Sequence, residues 1–377
     1  MQCYKGMPNV RTTILVLLAA CGLCCGCAPA PEADYVHCRE FDALNPKVQT
    51  AIRSVLLENC GTPQAPQMLG STPAAAATDG DARPAVPAAS QSAKLKQQEH
   101  LLAGKKVYLR RCVQCHGATG DGNGPTAAML YPRPRDYRRG IFKFTSTTFG
   151  SKPRRDDLLR TLRRGIPGTS MPSFELLPDK ELQAVLDYVL VLTHRGELEY
   201  RLAQDHQGEE EFDPDTVAST ITDIEDAWAA ADGNEIVPLS PQIQFTAEHV
   251  ALGQKAFLTK GCSKCHGDDG RGQTPENLKS NLLDAWQFPT RAADLSSGML
   301  HGGPRPIDVY RRVSHGVNGT PMPGFAEALA AEPETLWHLV AFIQHKSNQR
   351  RRGELPASGE LTPFQMQPSG TAKPAAP

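Results

Sequence analysis

Two short runs hold the residues of this 377-residue chain best suited to chemistry, Cys112-Val-Gln-Cys115-His116 and Cys262-Ser-Lys-Cys265-His266. In each, the positions i, i+3 and i+4 share one side of a helical turn, so two thiols and an imidazole face the same flat partner. Two thiols at that spacing can add to the vinyl groups of a haem as thioethers, and the histidine can coordinate its iron. The rival chemistries are thiol redox and half of a zinc site. They need a βαβ context or a second cysteine pair close by, and neither occurs here. The pattern therefore predicts two covalently bound haems of the c type.

The segments around these motifs repeat. Gly104, Tyr108 and Cys112 recur as Gly253, Phe257 and Cys262. Each unit then reaches a matching loop, Gly165-Ile-Pro-Gly-Thr-Ser-Met171-Pro172 and Gly316-Val-Asn-Gly-Thr-Pro-Met322-Pro323. Each closes on an amphipathic helix, with Leu182, Val185, Tyr188, Val189 and Leu192 in the first and Leu336, Leu339, Val340 and Phe342 in the second. A match at both ends and in spacing indicates an internal duplication. Within it, Met171 and Met322 are the expected second axial ligands, opposite His116 and His266. A thioether is a soft neutral donor that raises the potential of the iron, and it leaves no coordination position open. His194, His301, His315, His338 and His345 are the competing ligands, and each reads as a surface or haem-edge residue.

Each unit resembles a class I cytochrome c domain, and the pair resembles the di-haem c-type cytochromes. The resemblance covers roughly half the chain. It implies an N-terminal helix crossed by a C-terminal helix, with Gly104 and Gly253 at the crossing and Tyr188 and Phe342 as the aromatics packed there. It also implies that a proline carbonyl receives the Nδ1 proton of each haem histidine. Pro125, Pro132 or Pro134 would serve the first and Pro289 the second, and the sequence does not choose among them. Arg133 and Arg291, at matching places before Asp136 and Asp294, are the expected propionate partners.

The fold class expected is all-α, two tandem units with disordered linkers. The expected order is a signal peptide at 1–20, an N-terminal segment at 21–61 and a Pro/Ala-rich linker at 62–98. The first haem unit occupies 99–196, an acidic connection 197–247, the second unit 248–347 and a disordered tail 348–377. In the N-terminal segment, Asn45 and Pro46 predict a helix start, with Val48, Ile52, Val55 and Leu56 on one face. A second helix is expected after Asp213-Pro214, from Val217, Ile221, Ile224 and Trp228.

Lys5, Arg11 and the apolar residues 13–20 read as an export signal, too short to span a bilayer. Leu18-Ala19-Ala20-Cys21 resembles the lipobox of bacterial lipoproteins, in which the cysteine thiol receives a diacylglycerol. The alternative is an ordinary cleaved signal. Cys24, Cys25 and Cys27 crowd the same site and take no role. Cys38 and Cys60, left over in an oxidising compartment, are expected to pair as a disulfide.

Forty basic residues against 41 acidic ones give a net charge of −1, so no basic excess points to nucleic acid. The charge is uneven, however. Residues 105–164 hold 15 basic and four acidic side chains, and residues 197–235 hold thirteen acidic ones and a single arginine. The basic stretch reads either as propionate partners on a solvated face or as a docking surface for an acidic redox partner.

The leading functional expectation is a lipid-anchored periplasmic electron carrier. It would link a quinol-oxidising complex to a terminal oxidase or another cytochrome, with no bond chemistry of its own. The alternatives are a permanent cytochrome subunit of a larger respiratory or dehydrogenase complex, and a di-haem enzyme of the peroxidase or thiosulfate-oxidising kind.

Overall fold

The computed structural model describes residues 34–70, 88–279, 282–349 and 352–354. Cys21, the export signal, residues 71–87 of the Pro/Ala-rich stretch and nearly all of the tail lie outside these residues. Within them there is no strand. Only three isolated bridges occur, Gly61 with Pro66, Thr147 with Glu235, and Leu283 with Pro289. The all-α class follows.

Each repeat is organised by one helix crossing. In the first, α3 (Ala88–Arg111) crosses α6 (Asp179–Asp205). In the second, α8 (Ala247–Thr259) crosses α12 (Glu334–Asn348). Glycine permits both approaches. A Cβ on Gly104 would run into the carbonyl oxygen of Ala184, and one on Gly253 into that of His338. Beside each glycine an aromatic pair fills the angle between the helices. Tyr108 meets Tyr188 edge-on at 5.4 Å, and Phe257 meets Phe342 at 5.1 Å. All four rings are at most 2% exposed. Burying a side chain of that size contributes about 2 kcal/mol.

A short helix carrying each histidine follows directly, α4 (Val113–His116) and α9 (Ser263–His266), ended by Gly117 and Gly267 at positive φ. The second repeat adds one turn, α10 (Pro275–Leu278). A helix before each methionine loop, α5 (Arg155–Arg164) and α11 (Pro306–His315), completes the pattern.

A third core lies outside the repeats. The short helix α1 (Arg39–Asp42) and α2 (Pro46–Cys60) bring Phe41, Val48, Ile52 and Leu56 against Leu198, Leu202 and Ala203 of α6. Helix α7 (Asp215–Ala229) adds Ile224, with Val217, Ile221 and Trp228 at the margin. Asn45 caps α2 by accepting from the Lys47 N–H at 2.9 Å, as its sequence signature indicates.

Three differences from the sequence reading arise here. Helix α3 begins at Ala88, inside the segment expected as linker, because Ala, Lys, Gln and Leu after Pro87 are all good helix formers. At the other end of that segment Leu69 is buried in the third core, and Pro63 accepts a hydrogen bond from Lys105 Nζ at 2.8 Å. The acidic connection starts within α6, whose last turns stay helical because their acids are paired. Glu197 meets Lys152 at 2.6 Å and Arg201 at 2.9 Å, and Glu199 meets His37 at 2.8 Å and Arg195 at 3.1 Å. Finally, Cys38 and Cys60 are separate thiols rather than a disulfide. Cys60 lies within the third core and Cys38 packs against it, and burial pushes the pKa of each thiol up to about 12.

Candidate haem-binding sites

The first site is a cavity with Cys112, Cys115 and His116 on one wall and Met171 on its lining. The rest of the lining is largely apolar and includes Tyr137, Phe142, Leu158, Leu162, Leu186 and Val189. Two thiols, an imidazole and a thioether in one apolar cavity suit a flat, apolar, iron-bearing ligand. The polar atoms suit its acidic edge. Arg133 and Arg135 line the cavity, and the buried Nε of Arg133 has no hydrogen-bond partner among the described residues.

The histidine is held from behind. His116 Nδ1 lies 3.1 Å from the carbonyl oxygen of Arg135, and His266 Nδ1 lies 3.0 Å from that of Ala293. Donation there fixes Nδ1 as the protonated nitrogen and leaves Nε2 for a metal. The acceptors are therefore not the expected proline carbonyls. At the first site the residue after Pro134 presents its oxygen, and at the second the acceptor lies four residues beyond Pro289. Burial also lowers the pKa of both imidazoles, which favours the neutral form that coordination requires.

The surrounding turn is duplicated bond by bond. The Gly122 N–H donates to the His116 carbonyl at 3.0 Å, and Gly272 N–H to that of His266 at 2.6 Å. Asn277 braces the second acceptor segment, donating to the Ala292 carbonyl at 3.2 Å and accepting from the Ala292 N–H at 2.7 Å. Sequence reasoning passed over Asn277. Its signal is the capped turn in which Thr274 Oγ1 accepts from the Asn277 N–H.

The methionine loops also share one frame. Met171 N–H donates to Thr169 Oγ1 at 3.1 Å and its carbonyl accepts from Ile166 N–H at 3.0 Å. Met322 repeats both bonds, to Thr320 Oγ1 at 3.3 Å and from Val317 N–H at 3.2 Å. The two sites differ behind the ring. In the first, Tyr137 donates to the Tyr108 hydroxyl at 2.6 Å, which donates to the Gly117 carbonyl at 2.7 Å. In the second, Leu295 and Phe257 occupy the corresponding places in an apolar core.

Of the competing histidines, His301 is the informative one. It lies 21 residues before Met322, yet it lines the first cavity, packed edge-on against Phe144 at 6.5 Å. His194 sits against Trp228, His338 stacks on His249, and His315 pairs with Ser314.

The basic stretch is largely answered from within the chain. On and beside α5, Arg154 pairs with Asp232 and Glu235, Arg155 with Asp187, Arg160 with Asp157 and Arg163 with Asp179. Most of that charge serves structure.

Residues 99–189 match the family model described as cytochrome c oxidase, cbb3-type, subunit III, and residues 250–347 match that of cytochrome c. Among solved structures, a chain of the Kuenenia stuttgartiensis reducing HAO-like protein complex Kustc0457/Kustc0458 is similar. It is 30% identical with a TM-score of 0.51, over 65% of this chain and 95% of that one. No curated protein matches the chain.

Proposed function

Because this chain belongs to the di-haem c-type cytochromes, we propose that it transfers single electrons between redox partners through two six-coordinate haems. Cys112, Cys115 and His116 would hold one haem and Cys262, Cys265 and His266 the other, with Met171 and Met322 as the second axial ligands. When bound, each haem supplies a one-electron iron couple. The chain orients two imidazoles through the Arg135 and Ala293 carbonyls, keeps water from the haem faces with apolar side chains, and presents a thioether from each threonine-braced loop. The observation that carries this reading is the second ligand frame, repeated bond for bond at Met171 and Met322. With Met171 and Met322 as ligands beside His116 and His266, neither iron would keep an open position for substrate.

Optical and magnetic spectra of the oxidised protein test it. Two low-spin His/Met signatures are expected. Met171→Ala and Met322→Ala should each remove one signature and lower the potential of that haem alone, since loss of the thioether weakens the preference for ferrous iron. A high-spin centre in the unmodified protein would overturn the proposal and favour a di-haem enzyme.

A second reading is supported by the likeness to a chain of the reducing HAO-like complex, 95% of which is covered. Here the chain is the electron-transfer subunit of a lasting complex rather than a free carrier, with a multi-component oxidoreductase as partner. Co-purification of a stoichiometric partner from detergent-solubilised membranes would support it, and elution as a single chain would favour the carrier.

Export to the periplasm and a diacylglycerol on Cys21 complete the proposal, on the strength of the lipobox-like leader. No described helix is long and apolar enough to cross a membrane. The intact mass of membrane-extracted protein distinguishes an acylated Cys21 from a plain cleaved terminus.

A further inference from the structure

The loop between α10 and Ala293 supplies no ligand to either site, yet it has an unusual shape. It folds back through the bridge between Leu283 and Pro289 and carries Gln287 at φ 65°. A non-glycine residue in that region persists only where its surroundings over-determine it. Here part of the surroundings belongs to the other repeat. Trp286 lies beneath the guanidinium of Arg135, 3.9 Å from its ring centroid, and Phe288 beneath that of Arg133 at 4.4 Å. Asp284 organises the loop from within. Its Oδ1 accepts from the N–H groups of Trp286 and Phe288, at 2.9 and 3.0 Å, while its Oδ2 lies 3.9 Å from Arg135.

Arg135 is also the residue whose carbonyl receives His116 Nδ1. The indole also lies against Gly319, where a Cβ would come within 2.8 Å of the ring. The Ala285 N–H donates to the Gly319 carbonyl at 3.1 Å. Gly319 belongs to the loop that presents Met322. One side chain therefore touches both the residue that fixes the first histidine and the loop that carries the second methionine.

We infer that Trp286 is a positioning residue that couples the two haem sites, although it touches no proposed iron ligand of either. The inference rests on the His/Met reading above. Close-packed contacts pass on small displacements, so a change in the setting of His116 reaches the Met322 loop through Arg135 and the indole. The buried cation of Arg135, held in place by Asp284 and Trp286, adds a fixed charge beside the junction. Coupling of this kind is reciprocal.

The test uses the full chain, with two haems verified by mass, as Trp286→Ala and Trp286→Phe. Potentials of both haems are read by optical redox titration, and their low-spin signals by magnetic resonance. Trp286→Ala is expected to shift both potentials and to diminish the influence of one site's oxidation state on the other. Trp286→Phe keeps a flat ring under Arg135 and should recover most of the shift. A side chain that merely fills the interface would alter stability only. Unchanged potentials, or a shift at one haem alone, in a variant with two low-spin haems would overturn the inference.

The unmodified protein supplies an independent measurement, which holds even if a variant fails to load haem. In the half-reduced state, the signal of the remaining ferric haem should differ from its signal in the fully oxidised protein. An identical signal would overturn the coupling. Absence of two His/Met signatures at the outset would instead remove the functional reading, and the coupling with it.

Discussion

His194 shows how far a single residue can be pressed by its surroundings. Neither ring nitrogen has a hydrogen-bond partner among the described residues, and the ring packs edge-on against Trp228 at 4.8 Å. Burial lowers its pKa to about 4. Glu197 opposes the shift, and Lys152, held 2.6 Å from Glu197, reinforces it. The folded pKa thus lies below the unfolded value near 6.5, so between the two the unfolded chain binds the extra proton. The stability due to neutral His194 is complete above about pH 6.5 and is lost as the pH falls towards 4. The linkage amounts to about 3 kcal/mol at most. In His194→Leu, urea midpoints at pH 7 and pH 4.5 should lie closer together than in the unmodified protein. An equal gap in both proteins would mean that the histidine is already solvated or paired.

At the scale of elements, the helix crossings make the sharpest prediction. Gly104→Ala and Gly253→Ala each place a methyl group against a backbone carbonyl, of Ala184 and His338 respectively, which no rotamer can avoid. Each should cost about 3 kcal/mol and lower the melting temperature, since forced overpacking is felt as displacement of the backbone. Alanine at Gly233, where a Cβ meets nothing, is the control and should change little. These crossings were legible beforehand through the resemblance to class I cytochrome c domains, which implies glycine and an aromatic where the helices meet. The methionine loops were legible because they recur at matching places in two copies. The third core was not. The apolar faces of α2 and α7 were plain, but nothing in the pattern at Val48 or Ile224 says that both rest on Leu198 and Leu202 of α6. Backbone acceptors leave still less trace, since any residue can offer a carbonyl. The family resemblance therefore implied prolines where Arg135 and Ala293 serve. His301, read as a surface or haem-edge residue, is near Met322 along the chain but lines the first cavity in space.

The whole molecule is not two haem units on a flexible string, because the residues after Gly140 are bound into the second repeat. Arg312 of α11 donates from Nη1 to the Lys143 carbonyl at 3.1 Å and from Nη2 to that of Thr145. The Gly150 N–H donates to Asn318 Oδ1 at 3.0 Å, and Glu235 joins Arg154 to Arg311 at 2.7 and 2.6 Å. Burial lowers the Arg312 pKa to about 10, which leaves the guanidinium charged at neutral pH. Its planar fork reaches two carbonyls at once, whereas a lysine offers a single point of charge. Arg312→Met keeps much of the apolar stem but strands both acceptors, at a cost of about 2–3 kcal/mol. That loss falls on the contact between repeats and spares the helix crossing within each. The expected outcome is a thermal unfolding curve that divides from one transition into two, with both haem signatures kept up to the first. Arg312→Lys should fall between the two proteins. If Arg312→Met instead melts in a single transition at the original temperature, the repeats are joined by the Gly150–Asn318, Arg154–Glu235–Arg311 and Arg135–Trp286 contacts, and Arg312 only decorates their boundary.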